Sequence, residues 1–132
     1  MKNTKLTPES IGHHVIANLH GISNPSYFDD IEVIKDIVYK IAGKAGMTIV
    51  GEAHKKFEPQ GFTSCFILSE SHFTLHFWPE HAYMSVDIYT CGSEGDPSLA
   101  MKLLIEELKP NMKESSIEKK DRSIYIKEVA LR

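Results

Sequence analysis

Residues 62–91 read Phe62-Thr63-Ser64-Cys65-Phe66-Ile67-Leu68-Ser69-Glu70-Ser71-His72-Phe73-Thr74-Leu75-His76-Phe77-Trp78-Pro79-Glu80-His81-Ala82-Tyr83-Met84-Ser85-Val86-Asp87-Ile88-Tyr89-Thr90-Cys91. From His72 to Trp78 the residues alternate, with Phe73, Leu75 and Phe77 on one side and His72, Thr74, His76 and Trp78 on the other. That period of two is the mark of a strand with one dry face. Met84 to Cys91 repeats it, Val86, Ile88 and Thr90 lying opposite Ser85, Asp87, Tyr89 and Cys91. Phe62 to Ser69 is a third apolar run, and the short Glu70-Ser71 and Pro79 corners leave room only for tight connections. Neighbouring strands joined so closely must run antiparallel.

On the N-terminal side, Glu58-Pro59-Gln60-Gly61 predicts a turn leading back to a strand over 47–57. Before it, Ile31, Ile34, Val38, Ile41, Ala42 and Ala45 recur at helical spacing behind Asp29-Asp30, and Gly46 supplies a stop. Asn24-Pro25-Ser26 marks a turn, and His13 to His20 alternates with Val15, Ala17 and Leu19 inward. The first ten residues read as a loose arm. On the C-terminal side, Asp96-Pro97 suits a cap and first turn for a helix to Lys109, with Ala100, Leu103, Leu104 and Leu108 inward and Pro110 at its end. The polar tail from Met112 predicts one more strand and an ill-defined end. The order strand, helix, four strands, helix, strand predicts an α+β fold: a two-layer sandwich, mainly antiparallel sheet with two helices packed on one face. The other face, if apolar, would need a second copy to cover it, which makes a homodimer the expected assembly.

The 132 residues suit one domain spanning 1–132, and no repeat or linker divides them. With 42% hydrophobic and 25% charged residues the chain has the means to build a core, so wholesale disorder is not expected. A net charge of -3 provides no electrostatic footprint for nucleic acid or an anionic membrane surface. No apolar run approaches the roughly 20 residues of a membrane span, and Met1 to Gly12 lacks the apolar block of a secretory signal. Two cysteines, Cys65 and Cys91, make no disulfide framework. A cytoplasmic protein with no nucleic-acid or membrane partner is the expectation.

Chemistry-bearing residues crowd between Ser64 and Gly92. A zinc site on His72 and His76, with Cys65 and Cys91 near, is one reading. On a strand, however, the two histidines stand about 13 Å apart, too far for one ion. No metal is expected. Ser71, His76 and Asp87 have the residue types of a hydrolase triad but lack a Gly-x-Ser-x-Gly elbow. Taken singly, Cys65 reads as a packed thiol, and His13, His14 and His54 as polar strand residues.

The joint pattern is more specific. Glu70-Ser71-His72, His76, Trp78-Pro79-Glu80, Asp87 and Thr90-Cys91-Gly92, at these spacings, resemble the small prokaryotic S-adenosylmethionine decarboxylase proenzymes. The similarity extends from Gly12-His13-His14 through Phe57 and Gly61 to Asp96-Pro97 and the second helix, over about residues 11 to 109. It implies a pyruvoyl-dependent carboxy-lyase that makes its own electrophile. Decarboxylation at an amino acid's α-carbon needs an electron sink, and a chain with no Gly-rich phosphate loop is poorly suited to pyridoxal phosphate. A pyruvoyl ketone, which condenses with the substrate amine, does the same work and is made from a serine.

The resemblance implies that Ser71 is that serine. Its hydroxyl attacks the Glu70 carbonyl, and loss of its α-proton then expels the Glu70 carboxylate. Fragments 1–70 and 71–132 result, the second capped by the pyruvoyl group. His76 would take the proton in the elimination, and Cys91 would return one to the product. Glu80 would hold the ribose hydroxyls of S-adenosylmethionine and Phe57 would stack on its adenine. Thr63, where the family usually has serine, would assist processing with its hydroxyl. The implied product is decarboxylated S-adenosylmethionine, the aminopropyl donor for spermidine. His81-Ala82-Tyr83-Met84-Ser85 departs from the family's usual Tyr-Gly-Tyr-Ala-Ala, so decarboxylation of arginine or ornithine stays open, as does an unprocessed, non-catalytic homologue.

Overall fold

Alternation decides which side of each strand is dry, and in the computed structural model, which describes residues 7–69, 71–91 and 95–126, those dry sides merge into one face. Six strands form a single sheet: β1 (Thr7–His20), β2 (Ile49–Lys56), β3 (Phe62–Leu68), β4 (Ser71–Trp78), β5 (Tyr83–Cys91) and β6 (Ser116–Ile126). Their order is β2-β3-β4-β5-β1-β6, every neighbouring pair antiparallel. Strands β2 to β5 form a meander, and β1 is inserted between β5 and β6. Helices α1 (Ser26–Asp29), α2 (Ile31–Lys44) and α3 (Pro97–Leu108) complete the α+β architecture.

The core lies between the sheet and the two long helices. Val15, Ala17 and Leu19 of β1, Phe62 and Phe66 of β3, Phe73, Leu75 and Phe77 of β4 and Met84, Val86 and Ile88 of β5 are all buried. They meet Ile34, Val38, Ile41 and Ala42 of α2 and Ala100, Met101, Leu104 and Leu108 of α3. Both helices start on an aspartate that accepts a backbone hydrogen bond, Asp30 from Glu32 and Asp96 from Leu99. Helix α2 ends at Ala45 before Gly46 at φ 73°, and α3 at Lys109, before Pro110. No helix among the described residues is long and apolar enough to cross a membrane.

Several expectations need correction. Residues 7–10 are not a loose arm: they pair with β6, and only 1–6 of that arm lie outside the described residues. The Asn24 turn runs into the one-turn helix α1, which buries Phe28. In α3, Met101 is buried and Leu103 only half so. Strand β4 begins at Ser71 itself, so the connection from β3 is Ser69-Glu70, and Glu70 lies outside the described residues. The tail does form a strand, β6; 127–132 lie outside.

Strand β2 departs most from simple alternation. A register shift between Ile49 and Gly51 turns Glu52 and His54 toward the helices. Glu52 there meets the Tyr39 hydroxyl at 2.5 Å, Lys35 Nζ at 3.1 Å and His54 Nε2 at 2.8 Å. His54 Nδ1 in turn lies 2.7 Å from the hydroxyl of buried Ser64. His54 is therefore a bridging residue beneath α2 rather than an isolated polar strand position. Hydrogen bonds from Tyr39 and His54 hold the Glu52 carboxyl down at about 2.

Candidate active site

The sheet face opposite the helices is open, and two groups of polar and aromatic side chains gather on it, the first joined from the helix side by Ser71 and Thr90 at the strand ends. The first gathers where β4 begins and β5 ends. Ser71 is opposite Thr90, so Cys91 sits one residue beyond its cross-strand partner, and Cys91 in turn faces Gly12 of β1. The Ser71 hydroxyl lies 3.3 Å from His72 Nδ1. On its other side, His72 Nε2 is 3.5 Å from Asp87 Oδ1, which also takes a short hydrogen bond from His14 Nε2. Arg122 donates to His14 Nδ1 at 2.9 Å.

Tyr89 fills the middle of this group. Its ring packs against His14 and His72 at 5.1 and 5.7 Å between centroids, with the Arg122 guanidinium 5.6 Å above it. Its hydroxyl is hydrogen-bonded to Cys91, which, with burial, raises the phenol above its ordinary range, while Arg122 pulls the other way. Gly12 makes the approach possible: a Cβ there would come within 2.6 Å of Tyr89 Cε1.

The second group lies at the far end of β4. Phe57, Gln60, Phe62, Thr63, His76, Phe77, Trp78 and Glu80 line one groove of about 520 Å³. Thr63 and His76 face each other across β3 and β4, with Oγ1 and Nδ1 3.1 Å apart. Gln60 Nε2 donates to Glu80 Oε1 at 3.3 Å. Phe57 and Trp78 are 47% and 39% exposed, large aromatic surface left open to an occupant. The Pro79–His81 turn, closed by Ala82 at φ 47°, carries Glu80 to the rim.

Of the residues singled out from sequence, the groove brings together Phe57, Thr63, His76 and Glu80, and the first group contains Ser71 and Cys91. The structure does not bring these two sets together within one chain. Ser71 and His76 are five residues apart on one strand, which spaces them by about 16 Å and turns them to opposite faces. The sequence offered His72 only as a metal ligand or motif residue and His14 only as a polar strand residue, and it gave Tyr89 and Arg122 no role. Alternation put His72 and Tyr89 on the open face, but their meeting depends on the registers His72 to Tyr89 and His14 to Tyr89.

His14, His72 and Asp87 place three possible ligand atoms within 4.8 Å of one another. Two imidazoles and a carboxylate suit a transition metal. Here the atoms already bond each other, and the permanent charge of Arg122, bonded to His14, opposes a second cation. The fit to a ketone derived from Ser71 is better. Across from Ser71, Thr90 Oγ1 is buried and, among the described residues, unpartnered, a hydroxyl available to a carbonyl oxygen.

A family model described as S-adenosylmethionine decarboxylase matches residues 13–123. The S-adenosylmethionine decarboxylase proenzyme of Archaeoglobus fulgidus is 38% identical over 100 residues, covering 76% of this chain and 88% of that protein. Proenzyme 2 of Halalkalibacterium halodurans is 42% identical over 101 residues, covering 76% and 79%. The crystal structure of the adenosylmethionine decarboxylase from Aquifex aeolicus superposes with a TM-score of 0.79 at 30% identity, over 94% of this chain and 99% of that one.

Proposed function

The chain belongs to the S-adenosylmethionine decarboxylase family, and from that premise we propose that it cuts itself between Glu70 and Ser71 and then converts S-adenosylmethionine to its decarboxylated form and CO2. The product is the aminopropyl donor for spermidine. The alternatives of arginine, ornithine or no catalysis are not favoured by the relatives described above, which are named S-adenosylmethionine or adenosylmethionine decarboxylases.

One observation carries the reading: the groove that gathers Phe57, Thr63, His76 and Glu80. Its open aromatic wall suits an adenine, whose faces gain by stacking. Glu80, with one oxygen already accepting from Gln60, keeps acceptor capacity for ribose hydroxyls. Thr63 has a defined part. When Thr63 Oγ1 accepts from His76 Nδ1–H, the imidazole leaves Nε2 free as the base that removes the Ser71 α-proton. A threonine serves here as well as a serine, because only the hydroxyl oxygen is used.

A pyruvoyl group formed from Ser71 would supply an electron sink for decarboxylation, held where Ser71 meets Thr90 and Cys91. Cys91 Sγ then delivers a proton to the α-carbon, and the Tyr89 hydroxyl holds the thiol in place. Thr90 Oγ1, buried and without a partner among the described residues, would be the donor for the carbonyl of that group.

Two copies complete the site. The spacing of about 16 Å along β4 keeps His76 from the Ser71 of its own chain. A two-fold dimer that apposes two open faces would bring the groove of one copy over the strand ends of the other, where Ser71 begins β4 and Cys91 ends β5, a self-complementary arrangement. That use of the open face explains why it carries aromatics and histidines instead of only solvated polar residues.

Intact mass and a substrate panel test the reading together. Fragments 1–70 and 71–132, the second without a free amino terminus, and CO2 release from S-adenosylmethionine in preference to arginine or ornithine are expected. A single uncut chain after long incubation, or preference for either basic amino acid, overturns it.

A further inference from the structure

We infer that His72 is the base that starts self-cleavage, removing the Ser71 hydroxyl proton at Nδ1 while Asp87 holds the opposite nitrogen. This rests on the reading above that the Glu70–Ser71 bond is cut. A serine hydroxyl is a weak nucleophile and needs a base within hydrogen-bond reach. His76 is about 16 Å along the strand, whereas His72 Nδ1 is 3.3 Å from Ser71 Oγ.

The direction of the hydrogen bonds follows from Arg122. A guanidinium only donates, so His14 Nδ1 accepts from it and the proton of His14 sits on Nε2, directed at Asp87. Asp87 is thereby held as an acceptor. Its Oδ1, 3.5 Å from His72 Nε2, draws the His72 proton to that side and leaves the Nδ1 lone pair facing the hydroxyl. The rings of Tyr89 and His14, at 5.7 and 6.0 Å between centroids, limit the imidazole's rotation. Serine, histidine and aspartate thus have the order of a relay, with the histidine next in sequence to the nucleophile.

The step balances without a co-reactant. Ser71 Oγ bonds to the Glu70 carbonyl carbon as its proton passes to His72 Nδ1. The Glu70–Ser71 C–N bond then breaks, and the same proton goes from His72 to the leaving nitrogen. An ester and a free amine result, and His72 is neutral again. His76 acts only in the later elimination. Asp87 is a positioning residue.

Newly translated precursors test this, with hydroxylamine to split any ester. Wild type is expected to cut itself. His76→Ala is expected to stop at the ester, so hydroxylamine splits it between Glu70 and Ser71. His72→Ala and His72→Gln are expected to stay whole with or without hydroxylamine, at least about 10²-fold slower than wild type. The glutamine variant, checked by thermal melting, serves if the alanine variant does not fold. Asp87→Asn is expected to slow ester formation and Asp87→Glu to restore part of the rate, which a purely structural carboxylate would not require. A His72→Gln chain that cuts at the wild-type rate, or yields to hydroxylamine as fast as His76→Ala, overturns the assignment and leaves self-cleavage standing. Wild type that never cuts removes both.

Discussion

Cys91 and Gly12 are single positions on which the proposed chemistry depends. Cys91 lies at the end of β5, exposed, with the Tyr89 hydroxyl as its partner. Cys91→Ala is expected to self-cleave normally while kcat falls by about 10²- to 10⁴-fold, the usual worth of a positioned proton donor, as followed by CO2 release. Gly12 acts at one remove. The Cβ of an alanine would meet Tyr89 Cε1 at 2.6 Å, its hydroxyl at 2.7 Å and the Thr90 carbonyl at 2.9 Å, and backbone cannot step aside as a side chain can. Gly12→Ala should therefore shift Tyr89 off Cys91 and lower kcat with little change in KM. At the groove, Glu80→Gln keeps the shape but loses the charge that strengthens bonds to ribose hydroxyls. With about 1.5–3 kcal/mol at stake, KM for S-adenosylmethionine should rise by about 10- to 100-fold.

Among the elements, β2 and α2 are tied by charge as well as by packing. Glu52 titrates at about 2 in the folded chain against an ordinary value of 4.5, because Tyr39 and His54 donate to it. Its folded value is depressed, so its contribution to stability is complete above about 4.5 and is lost as the pH falls toward 2. Glu52→Gln should melt lower than wild type at neutral pH, and the gap should narrow when both are melted near pH 3. The same hydrogen bond pushes the Tyr39 phenol up, since only the protonated hydroxyl can donate to the Glu52 carboxylate. Helix α3 depends on a different device, the Asp96 carboxylate that accepts from Leu99 at 3.0 Å. Asp96→Ala should cost about 1 kcal/mol in chemical denaturation without altering the site.

At the scale of the whole molecule, the proposed division of the site between two copies is open to a complementation test. Ser71→Ala lacks the cleavable serine and His76→Ala lacks the elimination base, so neither alone should yield fragments. Co-expressed, a mixed dimer places an intact Ser71 from one chain beneath an intact His76 from the other. The His76→Ala chain should then be cut, and sedimentation should show a dimer. Failure of the mixture to cut would confine each site to one chain, against the spacing along β4.

The strands, the two long helices and their aspartate caps were legible in the sequence, because each depends on residues within a few positions of one another: a period of two, a period near four, a side chain reaching back to the next turn. Ser71, His76, Glu80 and Cys91 stand as candidates in the sequence through their joint spacing. Tertiary structure alone decided how they divide. Cross-strand register, which depends on hydrogen bonds between distant segments, set His72 against Asp87 and Tyr89 and sent His76 to the groove with Thr63. The register shift in β2, which no local periodicity announces, turned Glu52 and His54 beneath α2.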